Sequence, residues 1–91
     1  MTTTAATQTA TTYCATIGRQ LVSEVVMDTT WGVAFFATAR TVEGNLGSYT
    51  THAVHEMDLE TGYVRTVDGC EDGTRDAALA VIASFAARIA A

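Results

Sequence analysis

Residues 31–68 read WGVAFFATARTVEGNLGSYTTHAVHEMDLETGYVRTVD, and the spacing of their apolar side chains decides the fold. Two runs alternate with the period of a β-strand, and a third, shorter run follows them. A Gly/Asn turn separates the first two runs, and a three-residue turn with Gly62 in the left-handed conformation separates the last two. The stretch therefore predicts a three-stranded antiparallel meander. Its strands and turns are, in chain order, 31–42, 43–47, 49–59, 60–62 and 63–68.

A helix is predicted on each side of the meander. Apolar residues recur at helical spacing as far as Val25, with a strand as the competing interpretation for the first half of that segment. Thr74 is placed to cap the final helix, and Asp76 in its first turn suits the positive end of the helix dipole. Residues 1–8 are predicted to be a flexible lead-in to a single domain of residues 9–91. The helical apolar positions are Ala10, Tyr13, Cys14, Ile17, Leu21, Val22 and Val25 in the first helix, and Ala78, Leu79, Ile82, Phe85, Ala86 and Ile89 in the last.

The order helix, meander, helix predicts a two-layer α+β domain of the αβββα type. The second strand carries Glu56 and Asp58 on one face, with His52 and Val54 beside them, and apolar residues on the other. We therefore expect both helices to cover the same face of the sheet and the acidic face to remain open.

Composition excludes several classes of protein. The chain has 91 residues, a net charge of −5 and no lysine, so it lacks the usual source of a diffuse nucleic-acid-binding surface. Cys14 and Cys70 are too few for a disulfide scaffold. We expect a cytoplasmic protein, because the N-terminal residues lack the basic and apolar parts of a signal peptide and no apolar run approaches membrane-spanning length.

The negative charge is concentrated in one part of the chain. Seven of the ten acidic residues lie within 56–76, where only Arg65 and Arg75 oppose them. Such a field steers a protein towards basic surfaces. The run is either a solvated sheet face or an anionic patch that docks on a basic groove by imitating phosphates. The candidate partner-binding residues are Glu56, Asp58, Glu60, Asp68, Glu71 and Asp72.

Histidine and cysteine do not form a recognisable catalytic or metal pattern. His52 and His55 are three residues apart on a strand, so they point to opposite faces, and we expect His55 to be packed inside and His52 to be exposed. Neither cysteine lies in a nucleophile motif, and the acidic neighbours of Cys70 would raise its thiol pKa. The sequence therefore predicts a protein that is not an enzyme and has no metal or cofactor.

A second apolar stripe follows the last helix. Packing against the first helix is its simplest explanation, and a homodimer contact is the alternative. The stripe consists of Ala80, Ala83, Ala87 and Ala91.

The small size, the acidic balance and the lack of a catalytic constellation together resemble the anti-CRISPR proteins encoded by phages and mobile elements. The resemblance lies in the general character of the whole chain and not in a motif. It implies inhibition of a CRISPR effector complex in a bacterial host cell, with carboxylates occupying a basic channel that otherwise holds nucleic acid. The alternative function is a homodimeric structural or antitoxin-like interaction module.

Overall fold

The computed structural model describes the whole chain, Met1–Ala91, as an α+β fold with one antiparallel sheet. Strands β1 and β2 both pair with the same edge of β3, and β4 and β5 follow on its other side. Neither helix is long and apolar enough to cross a membrane. The elements are α1 (Thr3–Thr16), β1 (Gln20–Leu21), β2 (Val26–Asp28), β3 (Val33–Gly44), β4 (Gly47–Asp58), β5 (Val64–Thr66) and α2 (Arg75–Ala90).

The three-stranded meander predicted from residues 31–68 is present as β3, β4 and β5. β3 and β4 pair along their whole length, from Val33 opposite Asp58 to Gly44 opposite Gly47. Gly62 has a φ of 77°, in the left-handed region that the turn before β5 requires. The cap of α2 is also as predicted, since the Ala77 backbone N–H donates to the Thr74 hydroxyl.

The prediction for the N-terminal third was wrong in two respects. α1 begins at Thr3, so most of the expected lead-in is helical, and Ala6 within it is fully buried. Residues 20–25, expected to continue the helix, are not helical: β1 begins at Gln20 and β2 follows at Val26, which makes five strands rather than three. Backbone groups along the edge of β3 form hydrogen bonds with this segment, which a helix could not do. The Val22 N–H donates to the Ala37 carbonyl, and the Ala37 N–H donates to the Ser23 hydroxyl.

The expected two-layer arrangement was also wrong, because the helices pack on opposite faces of the sheet. Phe35 and Phe36 are adjacent in sequence, so they point to opposite faces, and both are buried. α1 covers the face that contains Phe36, and α2 covers the face that contains Phe35. The α1 core comprises Ala6, Ala10, Cys14, Val25, Ala34, Phe36 and Met57. The α2 core comprises Phe35, Ala37, Val54, Ala78 and Ile82.

This arrangement leaves two ends of the sheet uncovered. At one end the β3–β4 hairpin extends beyond the layers as an arm, in which residues 43–50 are all exposed. The molecule is accordingly elongated, with principal extents of 45 × 26 × 19 Å. At the opposite end lie the β2–β3 and β4–β5 turns, where three of the candidate carboxylates are found.

Candidate functional site

Two turns of the same construction lie side by side at one end of the sheet. In the first, the Asp28 carboxylate accepts the backbone N–H groups of Thr30 and Trp31. In the second, the Asp58 carboxylate accepts those of Glu60 and Thr61, at 2.8 and 2.9 Å. Each turn closes on a glycine with positive φ, four residues after its aspartate. We call residues 28–32 and 58–63 the turn end.

The two turns are joined across the sheet. The Leu59 N–H donates to the Gly32 carbonyl at 2.9 Å, and Val33 pairs with Asp28 on one side and Asp58 on the other. The two aspartates therefore flank the same residue on the same face. The hydrogen bonds from the Thr61 and Glu60 backbone hold the pKa of Asp58 below its ordinary value.

An exposed aromatic residue stands among these carboxylates. Trp31 is 80% exposed, although tryptophan is among the residues that proteins most often bury or use at interfaces. It lines one groove together with Asp28 and Glu56, and a second, shallower concavity together with Asp58 and Glu60. The turn end thus combines a solvent-facing indole with three carboxylates, and Glu56 beside it adds a fourth.

The groove beside Trp31 has an aromatic floor. The rings of Phe35 and Phe85 stack at 3.8 Å between centroids, and the Arg88 guanidinium lies 4.8 Å above the Phe85 ring. The groove has a volume of about 460 Å³. We call it the Trp31 groove, and its lining residues are Asp28, Trp31, Val33, Phe35, Glu56, Phe85, Arg88 and Ile89.

Glu56, Asp58 and Glu60 all lie at or beside the turn end. Asp58 and Glu60 belong to it, and Glu56 lies two residues earlier on the same face of β4. Glu56 is half-buried and forms an ion pair with Arg65 at 2.5 Å. Only part of the negative charge at this end is therefore neutralised within the chain.

Asp68, Glu71 and Asp72 lie elsewhere. They belong to the loop after β5, which runs back along β4 and pairs through Gly73 with His52. The Asp72 carboxylate accepts the Thr51 hydroxyl at 3.4 Å. Thr51 and Asp58 are seven residues apart on β4, or roughly 20 Å at the rise of an extended strand. The six residues therefore form two separate groups.

Sequence reasoning missed three contributors to this end, namely Asp28, Trp31 and Arg88. A signal for the first two was present in the chain. The segments Asp28–Gly32 and Asp58–Gly62 share the pattern of an aspartate followed four residues later by glycine, but only the second was recognised as a hairpin turn. Arg88 reaches the site only because α2 covers this face of the sheet, which the sequence did not predict.

The two histidines point to opposite faces, as expected, but both are buried. His55 lies beneath α1, where its ring contacts Tyr13 and Phe36. Burial, with a smaller contribution from the positive charge of Arg19, lowers the pKa of His55 to about 4. His52, expected to be exposed, is only 8% exposed because α2 and the 67–74 loop cover its face.

The cysteines are far from forming a disulfide with each other. Cys14 packs in the α1 core and Cys70 beside the α2 core, so the sheet separates them. Burial raises the pKa of the Cys14 thiol, which makes it a poor nucleophile. The chain holds no group of three His, Cys, Asp or Glu side chains that would bind a metal ion. Comparisons with protein-family models, with curated proteins and with solved structures find no match for this chain.

Proposed function

We propose that this protein is a non-catalytic binding protein that docks on a basic, nucleic-acid-binding surface of another protein and masks it. Docking occurs at the turn end, with Glu56, Asp58 and Glu60 facing the partner. The observation that carries the proposal is the exposed Trp31 among four carboxylates. Interfaces obtain much of their affinity from such aromatic anchors, while surrounding charges set specificity and association rate.

The partner class follows from the charge. A protein with a net charge of −5 and an anionic docking end is repelled by nucleic acid and by anionic lipid, and is attracted to the basic grooves that bind nucleic acid. On the resemblance to anti-CRISPR proteins, we propose the groove of a CRISPR effector complex as one such surface. In that form, the protein acts as an inhibitor in the cytoplasm of a bacterial host cell.

The test uses a variant that changes charge while keeping the hydrogen bonds of the turns. The variant combines Glu56→Gln, Asp58→Asn and Glu60→Lys. The first substitution retains an acceptor oxygen for Arg65, and the second retains one for the turn backbone. We expect its affinity for a partner captured from host lysate by the wild-type protein to fall on the order of tenfold, since exposed ion pairs contribute about 0.2–1 kcal/mol each. Its binding should also depend less steeply on salt.

The matched control makes the same change in net charge at the other acidic group. It combines Asp72→Asn, Glu71→Gln and Asp68→Lys. We expect this control to bind almost as well as the wild type, and nucleic acid to compete with the wild type for the partner. Equal binding by all three proteins would reject the turn end as the docking site.

A second candidate function is a homodimeric structural or antitoxin-like module. It is favoured by the second stripe of α2, because Ala80, Ala83, Ala87 and Ala91 are all exposed, with α1 on the opposite face of the sheet. Because the helices lie on opposite faces, the stripe does not pack against α1, which was its simpler explanation. Light scattering distinguishes the candidates: a dimer at micromolar concentration that Ala83→Glu converts to monomer supports the module, and a monomer at all concentrations counts against it.

A further inference from the structure

The charges around the Trp31 groove are incompletely matched within the chain. Asp28 uses Oδ1 in its turn, and Glu56 uses Oε2 in its pair with Arg65. The second oxygen of each carboxylate, Asp28 Oδ2 and Glu56 Oε1, makes no hydrogen bond in the chain. Both residues line the groove beside the indole of Trp31. A carboxylate accepts up to four hydrogen bonds, so each keeps capacity for an external donor.

We propose that the Trp31 groove receives an arginine side chain of the partner, an inference that rests on the function proposed above. The methylene stem of the arginine lies against the apolar floor of Phe35, Val33 and Ile89. Its guanidinium stacks on Trp31 and donates to the free oxygens of Asp28 and Glu56. An arginine fits this groove because the groove offers an apolar floor, an aromatic face and two negatively charged hydrogen-bond acceptors.

The groove favours arginine over lysine for a geometric reason. A guanidinium is planar and weakly hydrated, so it stacks on an aromatic face while donating several hydrogen bonds in its own plane. An ammonium is compact and strongly hydrated, and it does not stack in this way. The chain itself shows the compatibility of the groove with guanidinium, because Arg88 lies over the Phe85 ring at 4.8 Å.

Arg88 also sets a limit on the affinity of the groove. Arg88 lines the same groove, and its positive charge repels an incoming guanidinium. Replacing Arg88 with Gln removes that repulsion, and Gln retains a long polar side chain. The geometry therefore predicts that the Arg88→Gln variant binds arginine several-fold more tightly than the wild-type protein. A purely structural role for Arg88 would not increase binding.

The experiment uses the single tryptophan as its reporter. The capped peptide acetyl-Gly-Arg-Gly-amide is titrated into the full chain while the Trp31 indole N–H resonance and Trp31 fluorescence are followed. We expect saturable changes of both signals, with weaker changes for the matched peptide containing lysine. Asp28→Asn and Glu56→Gln, which keep the internal hydrogen bonds, should each weaken arginine binding several-fold. Glu43→Gln, in the exposed arm, should leave it unchanged.

Three results would overturn the inference. They are the absence of a saturable change up to tens of millimolar peptide, equal binding of the lysine peptide, and equal binding by the Asp28→Asn and Glu43→Gln variants. Retention of the native circular dichroism spectrum by each variant excludes misfolding as the cause of a loss.

The failure of this inference is distinguishable from the failure of the proposed function. If partner binding depends on the turn-end carboxylates but the arginine peptide does not bind, the docking surface stands and the arginine pocket is wrong. If the peptide binds but partner capture is insensitive to the turn-end charges, the pocket stands and the masking function is wrong.

Discussion

At the scale of single residues, the side chains of Arg19, Thr38 and His55 form a series of hydrogen bonds beneath α1. An arginine Nε–H only donates, so Arg19 donates to the Thr38 hydroxyl oxygen at 2.7 Å. The Thr38 hydroxyl proton is then free for His55 Nε2, which is 2.6 Å away. Because the pKa of His55 is lowered to about 4, its ring is neutral at pH 7, and with Nε2 accepting from Thr38 its proton lies on Nδ1, facing the Thr66 hydroxyl at 3.4 Å.

The lowered pKa of His55 makes the stability of the protein depend on pH. In the unfolded chain His55 takes up a proton near pH 6.5, but in the folded protein it does so only near pH 4. The unfolded state therefore binds more protons between these values, and the free energy of unfolding falls as the pH decreases from 6.5 to about 4. Above pH 6.5 this effect is absent. At the lower end it amounts to about 3 kcal/mol.

Urea denaturation at a series of pH values measures this effect, with His55→Gln as the comparison. The carboxylates titrate alike in both proteins, so we expect the difference between them to isolate the histidine. The charged group that faces His55 is Arg19, and a guanidinium stays protonated throughout this pH range. Parallel stability curves for the two proteins over this range would contradict the prediction.

At the scale of the elements, α1 owes its stability to packing rather than to helix propensity. Threonine is a poor helix former, and the hydroxyls of Thr7, Thr9 and Thr11 donate to the carbonyls four residues earlier. Ala6, Ala10 and Cys14, spaced four apart, are all buried against the sheet. Their small side chains let the helix approach β3 closely, so burial stabilises a sequence that would be weakly helical alone.

A pair of aspartate substitutions tests this role of α1. Ala6→Asp places an unpaired charge at a fully buried position, and we expect it to lower the free energy of unfolding by about 3 kcal/mol or more. Gln8→Asp puts the same charge on the exposed side of the same helix and should cost less than about 1 kcal/mol. Equal, small effects of both changes in denaturation experiments would show that residues 1–8 lie outside the folded core.

At the scale of the whole molecule, the two ends of the sheet differ in what they present. The turn end combines Trp31, carboxylates and a groove, whereas the arm at the other end presents a fully exposed Leu46 and an exposed Tyr49 on a threonine-rich hairpin. The arm packs against neither helix core, because all of the core residues lie outside 41–50. The arm therefore adds length to the molecule with little contribution to its core.

Shortening the arm should leave the fold intact. Val42 and Tyr49 are opposite each other and, two residues from the Gly44–Gly47 pair that closes the natural turn, form the same kind of hydrogen-bonded pair, so Asn-Gly in place of residues 43–48 joins them by a two-residue hairpin turn. We expect the free energy of unfolding to change by less than about 1 kcal/mol, because the deleted residues are all exposed. A loss of several kcal/mol in urea denaturation would contradict this. The same variant should keep partner binding if docking occurs at the turn end.

Features that depend on neighbouring residues could be predicted from the amino-acid sequence. The β3–β4 hairpin, the glycine turn before β5 and the Thr74 cap of α2 were all predictable, because strand period, positive φ and capping are local properties. The adjacent buried residues Phe35 and Phe36 also carried a signal for a sheet covered on both faces, since a continuous apolar run is typical of such strands. The alternation elsewhere in 31–59 obscured that signal.

The way in which the elements combine depends on contacts between distant parts of the chain. β1 and β2 form along the edge of β3, where the sequence predicted a helix as far as Val25, because the backbone groups of that edge require partners. The placement of α2 opposite α1 brings Arg88 and Phe85 to the Trp31 groove. The return of the 67–74 loop along β4 separates Asp72 from Asp58. Such contacts join residues distant in sequence, and their free energy depends on the packing of the whole domain rather than on any local pattern.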